Sequence, residues 1–334
     1  MAGLRGDFVE ACRKDMYKFE RDGSREKEVL YPKLFKVVSG AEVTGAGKKA
    51  TQRLSTTGLT RHTAEGQNIT FRSPIQGWTT FVKYHTFSDG LTFSPEAIED
   101  TVKLSNMLNE EAKQWGREVR IAKETLGARI FNNGGDLLGG WEFNGSYTGE
   151  SQSSGDLPYD SIPFFNLTGN ARTTKGGQTY YNSVAAAYPT SGDVLPSHFA
   201  TLYNLMTATN NRDEMGRKES NKPDTVLTKP GADHFAMQRI LTSEKLANSD
   251  LNDKNPYIGL VKNIYDWDYL DESAIYIGKA QSENLQFHER MAPEIRFFRH
   301  EDTAGYKASI RTRFGIWLKP LFWRDWVRGG GTSA

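Results

Sequence analysis

The clearest alternation in the chain lies in its last quarter. From residue 306 to 316, Tyr306, Ala308, Ile310, Phe314 and Ile316 fall on one side of a period-2 pattern, with Thr312 between them. Lys307, Ser309, Arg311 and Arg313 fall on the other. Successive side chains of a strand point to opposite faces, so this run predicts a half-buried strand with a cationic outer face. Further strands are expected over 36–38, 68–72, 79–87 and 224–228. The period changes to three or four between Ile98 and Ile130, through Val102, Ser105, Leu108, Ala112, Trp115, Val119, Ala122 and Leu126. Ser94 is a good N-cap, Pro95 suits the first helical position and Glu96 complements the dipole, while Asn132-Asn133-Gly134-Gly135 supplies the stop. The result is a single spine helix on the order of 55 Å long. Its opposite face (Glu99, Lys103, Glu110, Lys113, Arg117, Arg120, Lys123) is expected to be wet.

Two stretches resist a simple period. Residues 1 to about 30 are polar and charged, and only Phe8, Cys12, Met16 and Phe19 keep helical spacing. They predict a short amphipathic helix that breaks at Asp22-Gly23-Ser24, in an arm that needs a partner to order it. Between the strands at 36–38 and 68–72 lies a 27-residue run from Gly40 to Gly66, rich in Gly and Thr and carrying Lys48, Lys49, Arg53 and Arg61. That is too long for an ordinary hairpin connection, so it is either a long two-stranded projection or a functional loop. A lone ribbon is marginal in water and implies something for it to lie on. From Gly134 to Gly192 there are 11 glycines in 59 residues, yet Trp141, Phe143, Tyr147, Tyr159, Phe164, Phe165, Tyr180 and Tyr181 argue for a packed, loop-rich region. Helices over 196–209 and 231–243 alternate with the strand at 224–228, which makes the middle a small α/β domain.

Composition narrows the functional classes. The 334 residues carry 42 Lys and Arg against 41 Asp and Glu, a balance of +1, so no chain-wide field argues for nucleic-acid wrapping. The charge is uneven: from Gly305 on, Lys307, Arg311, Arg313, Lys319, Arg324 and Arg328 face the single acid Asp325. Such a face can meet phosphate weakly, though a solvated or salt-bridged strand face is the commoner outcome. Cys12 stands alone, which excludes an intramolecular disulfide framework and a thiolate metal site and fits folding in a reducing compartment. The first twenty residues do not read as a secretion signal, and no run of 18 apolar residues predicts a membrane span. Aromatic residues reach 12% with seven Trp, more contact area than an ordinary surface uses.

No constellation for catalysis survives. Gly45-Ala46-Gly47-Lys48-Lys49 invites a phosphate-loop reading, but Glu42 stands where the loop needs glycine and Lys49 where it needs Ser or Thr. Gly149-Glu150-Ser151-Gln152-Ser153 lacks the closing glycine of a nucleophile elbow. The histidines at 62, 85, 198, 234, 288 and 300 show no ligand spacing, and each reads as a surface or satisfied core residue. Asp266 and Asp268 around Trp267 imitate a carboxylate pair, but their context reads as a turn or strand edge. No cofactor or metal is expected.

The order of parts, with several phrases, resembles the major capsid proteins of tailed bacteriophages, which have the Hong Kong 97-type fold. The likeness covers roughly residues 30 to 330. Gly66-Gln67-Asn68-Ile69 through Pro74 and Gly77 is similar to the return strand of that family's E-loop, and Ala128-Arg129-Ile130-Phe131-Asn132-Asn133 to its spine-helix ending, with Tyr147-Thr148-Gly149 following. Residues 223–230 resemble the axial-domain strand and helix start. Asn255-Pro256-Tyr257-Ile258-Gly259-Leu260-Val261 and Phe287-His288-Glu289-Arg290 with Pro293-Glu294 resemble the return to the peripheral domain. Trp323-Arg324-Asp325-Trp326 resembles the aromatic-rich tail that closes such chains. Relatives often carry Ser-Thr-x-His-Pro after Tyr-Thr-Gly, whereas this chain has Phe164-Phe165-Asn166-Leu167-Thr168-Gly169, so the 150–190 region departs from the pattern.

The resemblance implies an α+β chain with an arm (1–35), an E-loop with flanking strands (36–93), a spine helix opening the peripheral domain (94–150), an axial domain (151–255) and returning peripheral strands with a tail (256–334). It implies a non-enzymatic subunit that forms pentamers and hexamers of an icosahedral head around double-stranded DNA, located in the virion and made in the host cytoplasm. Scaffold, portal and decoration proteins are the implied partners. Phe8, Met16 and Phe19 of the arm and Lys48, Lys49, Arg53 and Arg61 of the projection become inter-subunit candidates, and Lys307, Arg311 and Arg313 DNA-facing candidates. Some relatives join subunits by a Lys–Asn amide bond; Lys48 and Lys49 are suitably placed, but no acceptor Asn or activating carboxylate is matched. An encapsulin shell loaded with cargo enzyme shares the fold and is distinguished by particle content. A carbohydrate-binding or hydrolytic β-rich protein would instead be a stable monomer with a concave aromatic site.

Overall fold

The computed structural model describes residues 2–39, 48–55, 62–69, 71, 75–94, 104–135, 160, 162–174, 177–190, 192–213, 216–245, 254–299, 305–319 and 321–330. Of residues 2–11, 48–55, 75–81, 83, 104–106 and 299 only the backbone is described. The chain runs α1 (Ala2–Arg25), α2 (Tyr31–Leu34), β1 (Phe35–Ser39), β2 (Lys48–Ser55), β3 (Ile75–Lys83), β4 (His85–Phe93) and the spine helix α3 (Leu104–Asn132). Next come β5 (Arg172–Thr173), β6 (Thr179–Tyr180), β7 (Ser183–Val184), α4 (Pro196–Asn204), β8 (Thr225–Thr228) and α5 (Ala232–Thr242). The strands β9 (Asn263–Asp266), β10 (Ala274–Gly278), β11 (Ser282–Arg299), β12 (Tyr306–Leu318) and β13 (Trp326–Gly330) close it. The expected helix start at Ser94-Pro95-Glu96 runs into residues outside the described set, as do Ile98, Glu99, Val102, Lys103, Trp141, Phe143, Tyr147 and Tyr159.

Two sheets share one wall. The first has order β1-β11-β12-β4, with β1 parallel to β11 and the other pairs antiparallel. The alternation read in β12 holds: Ala308, Ile310, Thr312 and Phe314 are buried, and Arg311 is exposed. Ala308 and Ile310 pack with Ile295, Phe297 and Phe93 against Leu108, Ala112, Trp115 and Val119 of α3. The second sheet has order β7-β13-β10-β8-β9. Its middle strands β13, β10 and β8 are buried on both faces, so they show no alternation of exposed and buried positions. Val226, Ile275, Ile277 and Val327 meet Leu202, Met237 and Ile240 of α4 and α5, while Leu227, Tyr276 and Trp326 turn to the end of α3. Phe131 is the hub there, with the rings of Trp326 at 5.0 Å, Tyr276 at 5.2 Å and Trp267 at 6.0 Å.

Four expectations need correction. The stretch 68–72 is not a strand where it is described; the return strand is β3, shifted to 75–83, because β2 pairs from Lys48↔Lys83 to Ser55↔Ile75. The run expected at 79–87 is two strands broken at Tyr84. The boundary drawn at 255 cuts the second sheet, since β9, β10 and β13 all come from beyond it and β13 lies between β7 and β10. The aromatic tail is therefore core: Trp323 and Trp326 are 1% and 0% exposed.

The fourth correction concerns the arm. α1 is one helix through Asp22-Gly23-Ser24, and it lies on α3 of its own chain. Glycines set the crossing. A Cβ on Gly116 would stand 2.0 Å from the Glu20 carbonyl oxygen, and one on Gly23 would stand 2.0 Å from that of Lys113. α1 covers part of the α3 face expected to be wet: Glu26 pairs with Arg117 and Lys113, and buried Arg120 donates to the Gly23 carbonyl at 3.3 Å, while Glu110 is exposed as expected. Cys12 and Met16 are buried in that seam, and Tyr17 bonds the backbone of Ile295. Burial, and next the charge of Asp15, push the Cys12 thiol up.

Two outcomes follow. In an isolated helix Gly→Ala gains about 1 kcal/mol. Here Gly116→Ala forces two backbones apart, so it is expected to destabilise by about 1–3 kcal/mol and to speed thiol labelling of Cys12 severalfold. Urea unfolding and a thiol-reagent time course check both, and unchanged labelling contradicts this packing. Trp326→Ala should cost about 3–5 kcal/mol in urea unfolding, as for a core aromatic; a loss under about 1 kcal/mol would make the C-terminal strand peripheral.

Candidate assembly surfaces

The ribbon is the first surface. β2 and β3 form a two-stranded sheet that shares no pairing with the others. Its nine-residue strand β3 extends about 30 Å. Its root is anchored: Val82 is buried with Val38, Tyr84 and Trp317, and Tyr84 leads directly into β4. Tyr84 bonds His288 at 3.1 Å, and His288 bonds Gln286 at 3.0 Å, so that buried histidine is a satisfied core residue, as expected. Beyond the root the ribbon's connection leaves Ile69 70% exposed and Phe71 90% exposed. Sequence reasoning missed both, because it placed them within a strand; the signal available was two apolar residues inside a polar, glycine-punctuated stretch.

Of the arm and projection candidates, Met16 is fully buried by its own chain and Phe19 is half-buried against the same cluster, so the structure spends them internally. This corrects the expectation that Met16 waits for a neighbour. The Phe8, Lys48, Lys49 and Arg53 side chains and all of Arg61 lie outside the described residues.

The second surface is the face of β4-β12-β11 turned away from α1 and α3. Lys307, Ser309, Arg311 and Arg313 line it, flanked across the ladders by exposed Thr86, Ser88 and Thr92 and by Arg296 and Glu294. Arg311 stands opposite Glu294 in the ladder, and Arg296 holds Glu294 at 3.0 Å. Lys307 and Arg313 are half-buried. Of the six cations near the C-terminus, three are committed elsewhere: Arg324 to Glu219 at 2.6 Å, Lys319 to Glu283 at 3.6 Å, and buried Arg328 to Glu272. The basic excess is thus partly internal structure.

Asp266 and Asp268 flank a buried Trp267 whose indole donates to Glu124 at 2.5 Å. Among the described residues no group of His, Cys, Asp and Glu could hold a metal ion, and no helix is long and apolar enough to cross a membrane.

Replacing Phe71 by Ser should leave the unfolding of the isolated subunit within about 0.5 kcal/mol of the parent, since nothing in its own chain covers it. Self-association should instead need about tenfold more protein, read by analytical ultracentrifugation. Unchanged association would remove the ribbon from the interface.

The sequence matches no protein-family model and no curated protein. Solved structures do match it. The capsid of the cyanophage P-SCSP1u aligns with a TM-score of 0.54 at 8% identity, covering 92% of this chain and 89% of that one. The mature capsid of bacteriophage PhiM1 aligns equally well, at 0.54 and 8% over 92% and 88%. The capsid of an empty GTA particle aligns at 0.51 and 10% over 89% and 87%. At such identities the likeness is one of fold. The α+β architecture of this chain, two sheets built round one spine helix, is the Hong Kong 97-type fold of phage capsid subunits.

Proposed function

We propose that the chain is a major capsid protein, a structural subunit that self-assembles through five- and six-membered rings into the icosahedral head of a tailed phage. One observation carries the reading most strongly: a ribbon that leaves the body of the fold and presents Ile69 and Phe71 to solvent. A two-stranded ribbon is marginal alone, and large exposed apolar side chains mark contact surfaces. A second copy of the chain supplies the cover, in a head-to-tail contact that closes into rings. The fold shared with phage and GTA capsids over about nine-tenths of the chain supports the same reading.

In this reading the first sheet with α1 and α3 is the peripheral part, and the second sheet with α4 and α5 is the axial part that gathers round the ring axes. The work is assembly and containment rather than catalysis. Modest interfaces repeated many times make a closed shell long-lived, and packaged double-stranded DNA, a scaffold, a portal and decoration proteins are its partners. The subunit is made in the host cytoplasm and ends in the virion.

Light scattering of the purified chain, with electron micrographs of the same fraction, tests this. Rings of five or six or closed particles are expected, with nucleic acid rather than cargo enzyme inside particles recovered from infected cells. A strict monomer at high concentration, even with candidate scaffold co-expressed, would refute it.

A further inference from the structure

We propose that the outer crest of α1, not the cationic face of β12, is the surface that meets the phosphate backbone of duplex DNA. This rests on the shell reading, since it says which side of the subunit layer turns inward. At 3.6 residues per turn, positions 14, 18, 21 and 25 fall within an arc of about 60°. Lys14, Lys18, Arg21 and Arg25 occupy them, and all four are exposed. They lie on the opposite side of the helix from Cys12, Met16 and Gly23, which face α3 or the seam it makes with the first sheet. The acids Asp15 and Asp22 lie on one flank of the crest rather than along it. The crest spans about 16 Å, with a cation at nearly every turn.

At its C-terminal end the crest runs into a shallow cleft of about 300 Å³ that adds Lys27, Arg120 and Lys123 to Arg25, against the single acid Glu28. Glu28 is already bound by Lys33, as Lys123 is by Glu289. Among the described residues Lys18, Arg21, Arg25 and Lys27 enter no ion pair. Their charge is therefore available to a polyanion, whose condensed counterions they would release on binding.

The two cationic faces compete for one ligand, because they lie on opposite sides of the layer formed by α1, α3 and the first sheet. The β12 face is the poorer phosphate surface. Two of its three cations are half-buried, and the third faces Glu294. The ribbon is also rooted beside it, through Val82 on Tyr84 and Trp317. In the shell reading that side belongs to contacts between copies. The helix side is left for the contents, and no base-specific group is needed there: lysines and arginines on a helix crest neutralise phosphates without reading sequence.

Fluorescence anisotropy with a labelled 30-base-pair duplex, at a series of salt concentrations and on the full chain, decides between the faces. Lys18→Gln/Arg21→Gln/Arg25→Gln should lower affinity at least tenfold and reduce the salt slope by about 3, near 0.9 per lost phosphate contact. Lys307→Gln/Arg311→Gln/Arg313→Gln should leave both nearly unchanged. The reverse pattern, no measurable binding by the parent chain, or tighter binding of poly-glutamate than of DNA would overturn the proposal, the last assigning the crest to an acidic protein. Electron micrographs of the crest variant keep the two claims apart. Particles with lost DNA binding support both. Crest-dependent binding by a chain that never assembles keeps this proposal and removes the shell reading.

Discussion

The carboxylate of Glu124 sits where three parts of the chain meet. It accepts the indole N–H of Trp267 at 2.5 Å and the backbone N–H groups of Leu30 at 2.6 Å and Tyr31 at 3.3 Å. Burial raises its pKa, against the pull of those three donors. An acid so placed is costly unless fully bonded, so the three donors are held in one arrangement or the site fails. Lys123, one residue earlier, pairs with Glu289 of β11 at 2.7 Å, and Glu289 also accepts the Tyr31 hydroxyl at 2.8 Å. Two consecutive residues of α3 thereby fix the entry to β1, the first sheet and the loop that joins β9 to β10 of the second. Phe131, two turns further on, fixes the second sheet by ring packing. The ribbon itself is rooted on the first sheet, where Val82 is buried with Val38, Tyr84 and Trp317.

What the sequence disclosed follows from which signals are local. The β12 alternation, β8 followed by α5, and the body of α3 depend on a strand's or helix's own period, and each is where its pattern placed it. The cover over α3 depends on a partner far along the chain. Arg117 and Arg120 look like solvent-facing residues because charge usually marks a wet face, yet α1 brings Glu26 and the Gly23 carbonyl to meet them. A signal was present: glycine inside a helix costs about 1 kcal/mol relative to Ala, and Gly23 and Gly116 are repaid by close approach of the two backbones.

The C-terminal strand was illegible for a related reason. Trp326-Val327-Arg328-Gly329-Gly330 reads as a tail, with an arginine and two glycines that weaken a strand pattern. Its neighbours explain each feature. Arg328 is neutralised by Glu272, and a Cβ on Gly329 would stand 2.5 Å from the Ala187 carbonyl oxygen, so the strand fits only without side chains there. The candidate site was legible in outline only. A long two-stranded projection was one of two readings left open by the 40–66 composition, but the position of its return strand and its exposed pair, Ile69 and Phe71, were not legible, because an apolar residue in an extended stretch looks the same whether it faces its own core or another copy's.

The central claim is that the ribbon of one copy is completed by the body of another. A cryo-EM reconstruction of assembled particles measures that directly. The account expects density for β2 and β3 crossing onto an adjacent subunit, with Phe71 covered there, α1 on the inner surface, and the second sheet around the five- and six-fold axes. A ribbon folded back onto its own chain, with Phe71 in solvent, would contradict it.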